Sequence, residues 1–172
     1  MRGRGLGFII SALAFAFVVA GCSSSSRTWN HEGSSRRTAT LAGGRAIPPK
    51  RAPKKVVRAI EAANRIVGRP YVYGGGHARV EDYGYDCSGT VSYALIHAGL
   101  LDSPLPSSAF RKYGRSGEGD WITIYAWDGH VFADIAGLRL DTGYSKETEG
   151  PVWTTRSRPF PGRSDVRHPP GL

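Results

Sequence analysis

The chain has 172 residues, two cysteines and a formal net charge of +9, a length that suits one domain with extensions. The charge is uneven: residues 27–69 carry 11 Lys/Arg against Glu32 and Glu61, whereas residues 70–172 carry 10 against 12 acids. The excess lies on the tether and the first helical segment rather than on the rest of the expected domain, which argues against a basic nucleic-acid-binding fold.

Residues 1–21 read as a signal peptide. Arg2 and Arg4 open it, the apolar run "LGFIISALAFAFVV" follows, and Ala20-Gly21 supply small residues at its end. The run is shorter than the roughly 20 residues a membrane-spanning helix needs. The junction "VAGC", Val19 to Cys22, resembles the lipobox of bacterial lipoproteins, in which the cysteine is acylated and becomes the new N-terminus. Acyl chains on Cys22, at ~0.8 kcal/mol per buried methylene, would hold the protein on a membrane. Cys87 is then the single thiol of the mature chain. In an export compartment such a residue is an intermolecular link, a reactive thiol or a small buried hydrophobe.

Residues 22–53, with "SSSS", "EGSSRR" and "IPPKRAP", show little periodicity and read as a flexible basic tether. Its charge suits anionic lipid headgroups or an anionic wall rather than nucleic acid. Residues 54–172 are expected to form the domain. In "KKVVRAIEAANRIVGRP", Val56, Ile60, Ala63 and Val67 recur at helical spacing, and Gly68 and Pro70 mark the end. "YVYGGGHARVEDYGYD" is a glycine-rich loop without the lysine or spacing of a phosphate-binding loop. A second helix is expected from about Ser88 to Ala98, with Val91, Leu95 and Ala98 on one stripe. "LDSPLPSSAFRKYGRSGEGD" reads as loop. "WITIYAW", "HVFADIA" and "LRLDTG" then alternate as strands, the last two a hairpin, and the Arg/Pro/Gly-rich tail is expected to wrap the surface. Helix, helix and strands make an α+β class. Trp121, Tyr125 and Trp127 read as sheet packing.

Cys87 directly precedes the second helix, where free N–H groups and the helix dipole favour a thiolate. Asp86 is placed to cap that helix. A cysteine nucleophile needs a histidine within hydrogen-bond reach. His31 lies in the tether and His168 in the tail. His97 shares the helix with Cys87 and, at 1.5 Å per residue, stands about 15 Å away. His77, in the glycine loop, stays open, but His130 at the start of a strand is the better base. If Ala136 and Gly137 form a two-residue turn, Phe132 pairs with Asp141 and Asp134 with Arg139. Asp141 then lies diagonal to His130 on one face, while Asp134 is about 13 Å along the strand from His130. A one-residue slip would turn Asp141 away. No metal-ligand spacing such as CxxC or HExxH occurs, so neither a metal nor another cofactor is expected.

"RPYVYGGG", "YDCSGTVSYAL" and "GHVFADI" resemble, in order and spacing, the three landmarks of the NlpC/P60 family of cell-wall cysteine peptidases. The resemblance covers roughly residues 54–145 and implies a papain-like α+β fold, with N-terminal helices packed on an antiparallel sheet. It implies Cys87 as nucleophile, His130 as general base and Asp141 as third member, a place more often taken by His, Asn or Gln. Tyr73 matches a site-lining tyrosine. Asp86 and Ser88 match residues that hold the free amine of a stem peptide, which for Asp86 competes with the cap. The implied partner is peptidoglycan, cut at the γ-D-glutamyl–diaminopimelate bond by a membrane-anchored, monomeric lipoprotein of the cell envelope. It would face the periplasm from the outer membrane if the host has one. An amidase or acyl transferase acting on another envelope amide, or an inactive wall-binding module, are the alternatives.

Overall fold

The computed structural model describes residues 27–28, 37–143 and 149–172. The signal segment, Cys22 and His31 lie outside the described residues. The elements are β1 (Arg27–Thr28), β2 (Thr40–Ala42), β3 (Arg45–Ile47), α1 (Lys54–Ile66), α2 (Cys87–His97) and α3 (Ser107–Phe110). They continue as β4 (Arg115–Ser116), β5 (Ile122–Trp127), β6 (His130–Ile135), β7 (Leu138–Asp141), β8 (Val152–Thr154), β9 (Pro159–Phe160) and β10 (Asp165–His168). The class is α+β, as the sequence implies: helices lie against an antiparallel sheet in the order β4-β10-β5-β6-β7-β8. No helix among the described residues is long and apolar enough to cross a membrane.

Strand alternation sorts the sheet's two faces. Ile122, Ile124, Ala126, Val131, Ala133, Ile135, Leu138 and Leu140 point to one side and share a core with Val56, Ile60 and Ala63 of α1 and Val91 and Leu95 of α2. On the other side Tyr125 stacks on Phe132 at 4.8 Å, and Phe160 closes on both. The sheet is thus covered twice, which is why β5 is buried along almost its whole length.

Two expectations need correction. The tether was expected to run to residue 53, yet residues 40–47 form a hairpin that belongs to the folded unit. Asn64 of α1 accepts from the Ala46 N–H at 2.9 Å and donates to the Ala46 carbonyl at 2.8 Å. The same Asn64 Oδ1 takes the Trp153 indole N–H at 2.9 Å, so one polar side chain ties the hairpin and β8 to the helix. The second correction concerns the tail, which enters the sheet as well as covering it. β10 inserts between β4 and β5, and β9 lays Phe160 on the second face. Both features depend on partners far away in sequence, which local composition does not reveal.

The turn between β6 and β7 sets the geometry of the site. Ala136 and Gly137 both have positive φ, 49° and 76°, the conformation a two-residue hairpin turn requires. Hydrogen bonds hold the strained alanine: its N–H donates to Trp121 O at 2.8 Å and its carbonyl accepts from Ala39 N at 2.7 Å. The resulting register pairs Asp134 with Arg139 and Ala133 with Leu140.

Gly89, in the first turn of α2, allows the glycine loop to lie on the helix. A Cβ there would collide with the Gly75 carbonyl oxygen, a backbone atom with nowhere to go. Gly89→Ala is expected to destabilise the fold by about 1–3 kcal/mol, the usual range for overpacking, read as a lower urea midpoint at unchanged slope.

Candidate active site

The N-terminus of α2 is built from the loop before it. Asp86 is the N-cap, its Oδ1 accepting the Gly89 N–H at 2.7 Å. The same oxygen accepts from the Ser88 hydroxyl at 3.1 Å and meets His77 Nε2 at 3.2 Å, while Oδ2 accepts from Gly74 N at 3.0 Å. His77 Nε2 also stands 3.0 Å from Ser88 Oγ. Asp86 is therefore the hub that locks loop to helix, and the cap expected of it is present. His77, left open as a base by sequence, has its Nε2 engaged with Asp86 and Ser88.

This scaffold presents Cys87, a buried free thiol that is 8% exposed. α2 packs on β6 and β7, which brings the His130 imidazole at the start of β6 close enough to Cys87 for the thiol to act on it. His130 Nε2 donates to Asp141 Oδ1 at 2.8 Å, which leaves Nδ1 for the sulfur. Cys87, His130 and Asp141 thus converge from one helix and two strands. Trp127, paired with His130 across the β5–β6 ladder, lays its ring 5.0 Å from the imidazole and shields it.

Asp141 is buried and fully engaged. Oδ1 also takes the Thr142 N–H at 2.8 Å, and Oδ2 takes Arg158 Nη1 at 2.8 Å and lies 3.3 Å from Arg139 Nε. Arg139 was expected opposite Asp134. The register agrees, and the guanidinium also reaches diagonally to Asp141, while Asp134 Oδ1 accepts the Gly137 N–H at 2.7 Å and braces the turn.

Burial of His130 disfavours its charged form, but the bonds to Asp141 and Cys87 and their negative charges outweigh it, and its pKa rises from 6.5 to about 9. At neutral pH the ring is an imidazolium. The group is raised in the folded state, so its stabilisation is complete below pH 6.5 and is lost as pH climbs through about 9. The melting temperature is expected to fall across that window, and less steeply in His130→Gln.

The other histidines have separate partners. His97 Nε2 lies 3.2 Å from Glu81 Oε1, and His168 Nδ1 lies 3.0 Å from Gly117 O. Tyr73, expected to line the site, is 91% exposed at the tip of the glycine loop. Tyr71, two residues earlier, is the tyrosine near the thiol: burial and then the charges of Cys87 and Asp86 push its phenol up. A backbone bridge between Tyr71 and Tyr85 holds it beside the Asp86–Cys87 step. Tyr71 also lines a cavity of about 430 Å³ with Arg69, Pro70, Glu149, Pro151 and Val152. Sequence reading missed Tyr71 because both tyrosines of "YVY" fit the same local pattern. It missed Arg158 because nothing near residue 158 signals contact with β7.

No protein-family model matches the chain, and no curated protein matches it. Among solved structures, the chain is similar to the peptidoglycan hydrolase RipB from Mycobacterium tuberculosis, at 24% identity and a TM-score of 0.47, over 69% of this chain and 68% of that one. It is also similar to RipD from the same organism, a non-catalytic NlpC/p60 domain protein adapted to peptidoglycan binding, at 18% identity and a TM-score of 0.45, over 68% of this chain and 98% of that one.

Proposed function

We propose that this chain is a cysteine peptidase of the NlpC/P60 type, tethered to a membrane through a lipidated Cys22 and acting on the stem peptides of peptidoglycan. The observation that supports it most is the meeting of Cys87, His130 and Asp141 at the start of α2. A non-catalytic binding module has no need of a thiol beside an imidazole that is bonded in turn to a buried carboxylate.

The chemistry follows from the protonation states. His130 starts the cycle holding the proton, because its pKa of about 9 lies above neutral pH. Cys87 Sγ attacks the amide carbonyl, forming a C–S bond and a tetrahedral oxyanion. The Cys87 N–H at the helix start and the Tyr71 hydroxyl, a phenol that carries its proton at neutral pH, are the proposed donors for that oxyanion. His130 passes its proton to the leaving nitrogen, the C–N bond breaks, and the amine departs. Water then adds to the thioester with His130 as base, releasing the acid and restoring the pair. Asp141 keeps Nε2 protonated, so that Nδ1 carries the transfers. The cavity beside Tyr71 offers room for one side of a stem peptide, with Arg69 and Glu149 at its rim to meet opposite charges. Asp86 and Ser88 remain the proposed contacts for a stem-peptide amine. There they would exchange the His77 bond for an ammonium, a charge-assisted interaction.

The test is product analysis. Detergent-solubilised full chain is incubated with defined muropeptides, and the fragments are identified by mass spectrometry. A new free amine on diaminopimelate, with the matching γ-D-glutamyl acid, is the expected result. A cut at another amide would keep the mechanism and change the bond. Intact muropeptides retained by the protein would replace the peptidase reading with that of a wall-binding module.

A further inference from the structure

We propose that Arg158 is a positioning residue of the Cys87–His130–Asp141 triad, orienting the Asp141 carboxylate and setting the charge that His130 experiences. The inference rests on the peptidase reading only in calling the triad catalytic; the contacts and the first test do not require it.

Asp141 has no exposed side-chain surface, and a buried carboxylate is costly unless paired and hydrogen-bonded. Its two oxygens have divided duties. Oδ1 faces the imidazole, and Oδ2 faces the guanidinium groups of Arg158 and Arg139. Arg158 Nη1 bonds Oδ2 at 2.8 Å and the Thr142 carbonyl at 3.2 Å, so it grips the carboxylate and the next peptide together. Rotation of the carboxyl about its own axis would break the Arg158 bond as well as the His130 bond. The guanidinium suits this grip because its donors are fixed in one plane.

Charge gives the second half of the inference. The charged groups acting on His130 directly are Cys87 from α2 and Asp141 from β7, and Arg139 of β7 and Arg158, from the segment between β8 and β9, stand behind Asp141 on its other oxygen. Asp86, bonded to His77, and Tyr71 also lie near Cys87. A carboxylate in the third place pulls harder on the imidazolium proton than a neutral amide does, and an imidazolium held too tightly is a poor proton donor to a leaving amine. Arg158 and Arg139 offset that pull. Arg139 is wholly buried within the sheet's second face, whereas Arg158 is 28% exposed and arrives on the tail. Phe160, two residues on, is buried against Tyr125 and Phe132 and anchors the segment that delivers the guanidinium.

The experiment follows the His130 imidazole by NMR against pH in the detergent-solubilised full chain, comparing wild type with Arg158→Met, Arg158→Lys and Phe160→Ala. Arg158→Met keeps most of the packing stem and removes the charge. Its His130 midpoint is expected to move up by about half to one pH unit, because one cation near Asp141 is gone. Arg158→Lys is expected to restore most of the midpoint. Phe160→Ala is expected to lower the melting temperature and, by loosening the segment that carries Arg158, to move the midpoint up by less than Arg158→Met does. With muropeptide substrate, Arg158→Met is expected to lose roughly tenfold in kcat at unchanged KM. An unmoved midpoint in folded Arg158→Met would reduce Arg158 to a tail anchor and overturn the proposal. If Arg158→Met does not fold, Arg158→Lys decides. Lysine keeps the charge but cannot grip carboxylate and carbonyl in one plane, so kcat must fall severalfold, and a wild-type kcat overturns the orienting role. A wild-type chain that cleaves no muropeptide sinks the peptidase reading instead, and the imidazole midpoints still decide the role of Arg158.

Discussion

Cys87→Ala is expected to lower muropeptide cleavage by at least about 10⁴-fold while leaving the fold intact, as loss of the nucleophile does where the catalytic groups act as a unit. The thiol is small and buried at the start of α2, so alanine fills the site with little loss of packing. The effect is therefore on chemistry rather than on stability, and unchanged thermal unfolding beside lost cleavage is the signature. Cys87→Ser keeps a hydroxyl in place but presents a nucleophile that the imidazolium cannot hold as an anion at neutral pH, and it is expected to be equally inactive. The sharper test is the double change. His130→Ala alone should cost a similar factor, and Cys87→Ala with His130→Ala should cost no more than either, because the two groups form one device. Additive losses would mean that His130 works apart from the thiol. Alkylation of Cys87 by iodoacetamide at neutral pH, lost in His130→Ala, reads the same pairing without substrate.

Asp141→Ala is expected to have the larger effect on the whole molecule. It removes the carboxylate that faces Arg139, which has no exposed side-chain surface, and Arg158. Taking one partner from a buried ion pair costs about 3–5 kcal/mol, because the remaining charge stays in a poorly solvating place. That is a large share of the roughly 5–15 kcal/mol that holds a domain of this kind together. Chemical denaturation should show it directly. Asp141→Asn separates stability from orientation. The amide oxygen can still accept the His130 Nε2–H, but the NH₂ group must face the guanidinium donors, so part of the stability is lost. With the negative charge gone, the His130 midpoint should fall from about 9 toward 6.5. A midpoint that stayed near 9 in Asp141→Asn would show that Asp141 is not what raises it.

Several parts of this site follow from the chain by itself, because the forces that make them act over a few residues. Asp86 before Cys87 is a cap for the helix that begins there, and the helix supplies the N-terminus whatever lies around it. The Ala136-Gly137 turn sets the β6–β7 register, and the register puts Asp141 diagonal to His130. Gly68, with φ of 83°, closes α1 where its periodicity stops.

Tertiary structure decided the rest. Tyr71 and Tyr73 share one local sequence pattern, and only the docking of Tyr71 on Tyr85, ahead of the turn that carries Tyr73, selects Tyr71 for the thiol. The 40–47 hairpin has a composition indistinguishable from linker, and it is ordered by Asn64 and by the Ala39 bond to the far end of β6. Arg158 reaches Asp141 because Phe160 finds an aromatic pocket on the second face of the sheet. Each of these contacts joins segments that no local pattern links, and each depends on burial that exists only after the sheet has formed. The residues that carry the proposed chemistry are thus legible in the chain, while the residues that steady them and set their charge are chosen by the fold.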